Sequence, residues 1–539
     1  MPDELKQEFE ENPISQVESK KAFDINLAIK DLIQQADNLG EMTEKIKFLE
    51  EQTEKLKLET PNWFWIILQI KRNKKGEPTG YELKNGFDPV VMGDILITQY
   101  NLVRFPKLDQ GAVYDTEQGS WRYFGKDEMI SFVRKETIDE LRAWGFFEMD
   151  RVYKTSSYVF AATYDKSFPN ETPFILSKPE LAVFKNGTYN ILTNEIREND
   201  PKDYILNSYD YELPVDGRET PKTDSFLKGM FGDSWLFLKQ FIGYGFYRSH
   251  SPAQEIVFLY GDGGEGKSTF LNFLTECIFN RKNVSAEKVQ DLSADKFAKV
   301  NLLGKSMNIS AEIPKGNMKN SDILKMLTGG DMFMGQYKGI QAFAMVSYAK
   351  LMFSANKLPG FRDLTGGFSH RLVVIKAING NQREKGATFF KDHPMEEIIK
   401  EAPYFAYSCI QEFRKVFDGK KATFTKTSEM EQDRMDWLYE NNYLGQFFTE
   451  SCEINPDDEM GTSVKTIMAE YQAYCKQNGI FSESPQEVRN YLEALGCKKE
   501  KNTKAYNEDK IRVWRYMGCK LTTSYIHSHW EDSKNNYYP

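Results

Sequence analysis

Six cysteines (277, 409, 452, 475, 497 and 519) are scattered through 539 residues with no Cys-x-x-Cys pair, and there are five histidines. That spacing argues against a disulfide framework and a zinc ribbon, and it fits a reducing compartment. Long apolar runs are missing as well. The densest, from Trp63 to Leu68, is six residues long. A membrane helix needs about 20, so no membrane partner is expected and the run reads as a buried strand. Internal repeats and low-complexity tracts are also lacking. The opening MPDELKQEFEEN is acidic and polar, unlike a secretory signal or transit peptide. The expected location is therefore cytoplasmic.

What is present is ordinary globular composition, 40% hydrophobic and 28% charged. At about 150 residues per domain the length implies three or four domains. The formal net charge is −9, but residues 1–60 hold fifteen Asp/Glu against eight Lys, which leaves the rest near neutral. Residues 498–520 reverse the balance, with eight Lys/Arg against three Asp/Glu. A near-neutral body with a local basic patch can bind nucleic acid without a basic isoelectric point.

Texture divides the chain. Residues 1–60 have helical apolar spacing on an acidic background and are expected to form a solvated helical arm or short coiled coil, with an acidic partner-binding arm as the alternative. Residues 61–223 alternate short aromatic and β-branched runs with turns, including Asn85-Gly86 and Asn186-Gly187, both hairpin-type dipeptides, and form an expected α+β region. Residues 224–400 alternate strands and helices, the pattern of a mainly parallel α/β domain. A helical connector follows over 401–440, then a small domain over 441–523 and a tail over 524–539.

One motif dominates. Gly261-Asp-Gly-Gly-Glu-Gly266-Lys267-Ser268 satisfies G-x-x-x-x-G-K-[ST], after an apolar strand and before a helix. Gly261, Gly263, Gly264 and Gly266 let backbone N–H groups curl around phosphate oxygens, and the helix N-terminus through Thr269 adds a favourable dipole. Lys267 is expected to reach the β- and γ-phosphates, and the Ser268 hydroxyl to help hold Mg²⁺. ATP and Mg²⁺ are the expected cofactors.

Such a loop needs a second strand that brings an acid or amide to the metal or the attacking water. Glu312 ends a short apolar run 45 residues after Lys267, and Asn356 ends another 44 residues later. Arg371 lies 15 residues further on, before the apolar run LVVI. A fixed guanidinium there can serve a neighbouring subunit's γ-phosphate. Residues 332–343 read as a hairpin with Lys338-Gly339 at its tip. His527-Ser-His529 is set aside as a metal pair for want of a partner motif.

The ordered set GDGGEGKS (261–268), GKSMNISAEIP (304–314), KMLTGGD…QYKG (325–339), FSANKLP (353–359) and SHRLVVI (369–375) resembles superfamily 3 helicases of the phage, plasmid and poxvirus primase–helicase type, which have the AAA+ fold. Within that family it most resembles the replication initiator helicases of phage-like chromosomal islands. The resemblance implies an α/β architecture: an AAA+ P-loop motor, an N-terminal α+β region and a C-terminal winged-helix domain. It implies Glu312 as the catalytic and metal-organising acid, Asn356 as the sensor, Arg371 as a finger acting in trans, and Lys338 as a contact to single-stranded DNA. It also implies a hexameric ring, 3′→5′ travel and a role in replication initiation. The basic segment, with Lys498, Lys499, Lys501, Arg512 and Arg515, is then the wing, expected to contact duplex or origin DNA. Two departures stand out: Ser310-Ala311 precede a lone acid where many members carry two, and His370 replaces the first of a frequent Arg pair. A primase–helicase that also makes primers, and a DNA-stimulated ATPase that assembles without unwinding, are the alternative readings.

Overall fold

The computed structural model describes residues 23–105, 110–165, 174, 177–295, 297–311, 313, 321–338, 342–361, 366–380, 388–480, 482–506 and 508–524. The chain divides into two compact units, Met1–Leu213 with Gly339–Met345, and Pro214–Lys338 with Val346–Pro539.

In the first unit, helices Ile25–Asp37 and Met42–Glu59 lead into an antiparallel pair, Phe64–Arg72 with Pro78–Phe87. Ile25, Ile29 and Leu56 belong to the same buried cluster as Trp63, Ile66, Met92, Leu141 and Phe146. The described part of the first sixty residues is therefore built into the unit, and no solvated arm is seen among those residues. Its helical apolar stripe finds a core to cover, which is where most helix stability arises. Helices Pro89–Gln99, Lys126–Ala143 and Met149–Asp165 complete the layer, with a three-stranded and a four-stranded sheet alongside.

Two local expectations change here. The run from Trp63 is not buried on both faces: Phe64 and Ile66 are inside while Trp65 is 42% and Ile67 56% exposed. A two-stranded sheet covers only one face, so period-2 alternation wins. Asn85-Gly86 does not form the turn either; it pairs within the strand, Gly86 opposite Trp65. A Cβ on Gly86 would lie 2.3 Å from the Trp65 ring, so this glycine makes room for the indole. The turn sits at residues 73–77 instead, where Asn73 Oδ1 accepts from the N–H groups of Lys75 and Glu77 at 2.9 and 3.0 Å. Asn186-Gly187 does close a hairpin, with Phe184 paired to Gly187 at φ +125°.

The second unit is built around a five-stranded parallel sheet. We number its strands β1 (Ile256–Tyr260), β2 (Val284–Ser285), β3 (Met307–Ser310), β4 (Lys350–Ala355) and β5 (Leu372–Lys376). Their spatial order is β2-β3-β4-β1-β5, every neighbouring pair parallel. Runs such as IVFL in β1 and LVVI in β5 are buried throughout, as strands covered on both faces must be. Helix Ser428–Glu440 supplies part of that cover: Trp437 packs edge-on against Phe258 of β1 and Phe361, each at 4.9 Å, and its indole N–H donates to the Pro359 carbonyl at 3.1 Å. Helices Trp235–Gly245 and Ala402–Val416 press backbone to backbone, since a Cβ on Gly243 would fall 2.0 Å from the Cys409 carbonyl oxygen.

The last part of this unit has its own buried cluster, including Phe447, Ile467, Tyr471, Val488, Leu492 and Tyr516. Helix Val464–Gln477 is followed by helix Pro485–Ala494, which opens on a capping box between Ser484 and Glu487. An antiparallel three-stranded sheet of Gly461–Ser463, Val513–Met517 and Lys498–Asn502 closes it. Among the described residues no helix is long and apolar enough to cross a membrane.

Candidate nucleotide site and nucleic-acid interface

The glycine-rich loop leaves the C-terminal end of β1 and enters helix Lys267–Phe273. Gly263, Gly264 and Gly266 have φ of +106°, +83° and +98°, values that residues with a Cβ rarely adopt. Three of the four residues Gly263-Gly264-Glu265-Gly266 thus take positive φ, and the Gly263 N–H turns towards the Glu265 side chain within the loop. At Gly266 the crowding is also steric, because a Cβ would lie 2.4 Å from the Phe390 ring.

Lys267 is buried, at 6% exposed. Its ammonium donates to Glu265 Oε2 at 2.7 Å and to the Gly261 carbonyl at 3.2 Å. Glu265 is 3% exposed, and its other oxygen accepts from the Gly263 N–H at 2.8 Å. Burial alone would raise the pKa of this carboxyl. The Lys267 bond and the backbone donors outweigh that and hold it below the usual range. Ser268 is exposed and Thr269 half-buried at the first helical turn.

Because β1, β3 and β4 are parallel, their C-terminal ends share one edge of the sheet. Ligands of open α/β sheets bind at that edge. Asn356 follows β4 there, exposed, and a Cβ on Gly263 would come 3.8 Å from its Oδ1. The expected sensor amide therefore stands beside the loop. Glu312, two positions beyond β3, lies outside the described residues, as do Gly339 and the tail containing His527 and His529.

Arg371 sits at the other end. It precedes β5, whose first residue Leu372 pairs with Ile256 at the start of β1. Five residues at ~3.3 Å put it about 16 Å from the P-loop edge of its own chain. Its Nε donates to Thr328 Oγ1 at 3.1 Å, and a terminal nitrogen donates to the Gly367 carbonyl.

The residues suit a triphosphate in kind: the Gly263 N–H and the Lys267 ammonium, both held here by the Glu265 carboxylate, lie with the start of helix Lys267–Phe273 at this edge of the sheet. Among the described residues no group of three or more His, Cys, Asp or Glu stands ready to hold a metal. Ser268 is the described residue that could hold a magnesium ion here, beside phosphate oxygens and water, while the other expected ligand, Glu312, lies outside the described residues.

The expected basic wing is less uniform than its composition. Lys498, Lys501 and Arg512 are exposed, and Lys499 is half-buried. Lys338 is exposed at a turn after strand Phe333–Gly335. Arg515 departs from the group: it is 1% exposed, ion-paired with Glu508, and donates to the Asp509 carbonyl at 2.9 Å. It braces the loop between the two strands from within and is not placed to touch DNA. Sequence reading also missed Trp514. This indole is 53% exposed, lies opposite Lys501, and carries the Lys499 ammonium 5.7 Å from its ring. An exposed aromatic between lysines in IRVWRYM was the available signal.

Residues 94–232 match the family described as D5 N terminal like, and residues 259–371 match a family of unknown function, DUF5906. The first lies ahead of the sheet, and the second runs from β1 to Arg371. The chain matches no curated protein. Among solved structures, the apo C-terminal region of NrS-1 is 13% identical with a TM-score of 0.41, over 76% of this chain and 86% of that one. The JCV helicase bound to a small-molecule acetamide is 12% identical with a TM-score of 0.26, over 41% of this chain and 59% of that one. Likenesses this distant carry no weight in assigning function.

Glu265 and Asn379 were not singled out in the sequence. Asn379 donates from its side-chain amide to the Glu265 carbonyl at 2.6 Å, fastening the loop to the segment after β5. Neither occupies a position for which the P-loop pattern specifies a residue type.

Proposed function

We propose that this protein is an ATP-dependent DNA helicase of the superfamily 3 kind, working as a hexameric ring in the replication of a phage, plasmid or chromosomal island. The observation that carries the reading is the P-loop at the end of β1 in a β2-β3-β4-β1-β5 parallel sheet, with Asn356 at the same edge. The D5-like match just upstream of that sheet favours the phage-type primase–helicase relation. The 3′→5′ direction follows from the resemblance.

In this reading the loop N–H groups and Lys267 bind and orient the phosphates, and Glu312 and Asn356 orient the attacking water. Arg371 is too far from its own P-loop to act there, so a role in catalysis requires a neighbour. A head-to-tail contact whose rotation closes gives a ring, and the resemblance implies a hexameric one. Lys338 grips the backbone of one strand, and residues 441–523 form a winged-helix module whose lysines and Trp514 meet DNA.

The test is ATP-dependent strand displacement on 3′-tailed, 5′-tailed and tailless duplexes. Displacement from the 3′ tail is expected, and Lys338→Ala should lose it at least about tenfold more than it loses DNA-independent hydrolysis. Hydrolysis without displacement on every substrate would instead favour an assembly ATPase. Primer synthesis from labelled nucleotides would revive the primase reading.

The wing has its own test. Removing a stacking aromatic typically weakens single-strand binding by about 1–3 kcal/mol. Trp514→Ala should therefore bind tailed DNA roughly 5- to 150-fold more weakly by fluorescence anisotropy, with Trp514→Phe in between. Equal affinity of all three proteins would remove Trp514 from the interface.

A further inference from the structure

We propose that Glu265 is a built-in competitor for the phosphate seat, so that nucleotide binds by displacing this carboxylate and its affinity is set by how firmly the carboxylate holds. The inference rests on the P-loop reading and deepens it.

The two donors that Glu265 engages, the Gly263 N–H and the Lys267 ammonium, are among those a triphosphate would use. A carboxylate, like a phosphate, offers paired anionic oxygens, and here each takes one donor. The chain is shaped for this contact. A Cβ on Gly261 would lie 2.6 Å from Glu265 Oε1, so glycine at 261 leaves the room in which the carboxylate folds back into the loop. Asn379 pins the Glu265 backbone from the segment after β5, which leaves the side chain to move while the loop stays put. With 3% and 6% exposure, Glu265 and Lys267 satisfy one another away from water. A phosphate seated on the Gly263 N–H and the Lys267 ammonium would meet the carboxylate oxygens that already occupy those donors, and like charge at that range drives Glu265 out towards solvent. The fraction of loops with Glu265 already out multiplies the intrinsic affinity. Product release is helped by the same exchange, because the carboxylate returns to Lys267 as the diphosphate leaves.

The test uses the full chain and titrates Mg·ATP and Mg·ADP by calorimetry, alongside stopped-flow release of a fluorescent ADP. Glu265→Gln keeps the shape and removes the charge; Glu265→Ala removes the group, and Lys267→Ala is the reference for the site. Both Glu265 variants are expected to bind about tenfold more tightly and to release ADP correspondingly more slowly. A purely structural Glu265 predicts the reverse, weaker binding in a less stable loop. Unchanged or weaker binding by Glu265→Gln, with wild type binding and Lys267→Ala not, would overturn the competitor and leave the P-loop intact. Absence of binding by wild type and every variant would overturn the P-loop reading itself, and the competitor with it.

Discussion

Lys267→Ala should bring ATP hydrolysis to background, a loss of at least about a hundredfold, with strand displacement lost alongside. The ammonium lies within the loop, 2.7 Å from Glu265 and 3.2 Å from the Gly261 carbonyl, where the charge developing on a transferring phosphoryl group would be met. Alanine also leaves the Glu265 carboxylate without its cation, so some loss of stability is expected in the same variant. Thermal unfolding of wild type and variant separates the two effects. A folded variant that still hydrolyses ATP above a tenth of the wild-type rate would contradict the assignment.

Lys350→Met should destabilise the protein by about 3–5 kcal/mol, measured as a shift in the urea midpoint of the second unit. Lys350 opens β4 and is fully buried. Its ammonium donates to the carbonyls of Tyr247, Ser249 and Tyr348 at 2.8, 3.0 and 2.7 Å and lies 4.2 Å from the Tyr244 ring. Methionine fills the space but leaves those carbonyls short of a donor. The wild-type residue also carries a pH signature. Burial, with Arg248 nearby, holds its pKa well below 10.5. The unfolded chain therefore takes up a proton that the folded chain resists, so stability should rise with pH through the window between the lowered value and 10.5. In Lys350→Met that part of the slope should vanish. An unchanged urea midpoint would mean that the three carbonyls find water instead.

The glycine-rich loop was legible because its pattern is local. Glycines at fixed offsets, a lysine and a hydroxyl must be neighbours in sequence to surround one phosphate group. The alternating strands and helices around it were legible for a similar reason, since apolar runs such as IVFL and LVVI have nowhere to go but a doubly covered sheet. Asn356 was reachable from its strand-end position, although only the parallel register of β4 beside β1 brings it to the loop.

Other features depended on partners distant in sequence. Arg515 looks like its lysine neighbours until the fold sets Glu508 and the Asp509 carbonyl around it. Gly86 reads as a turn residue, but cross-strand pairing with Trp65 makes it a space-maker. The apolar stripe of residues 25–56 fits a free helix equally well until Trp63, Met92 and Phe146 are packed against it.

The sequence by itself determined the glycine-rich G-x-x-x-x-G-K-[ST] pattern, the alternating α/β order and the basic segment near the end, because each is written in residues close along the chain. Tertiary structure alone decided which charges face solvent, which glycines are spaces, and that Glu265 folds back onto Lys267. Burial and pairing arise from groups that meet only in space, and no local spacing encodes them.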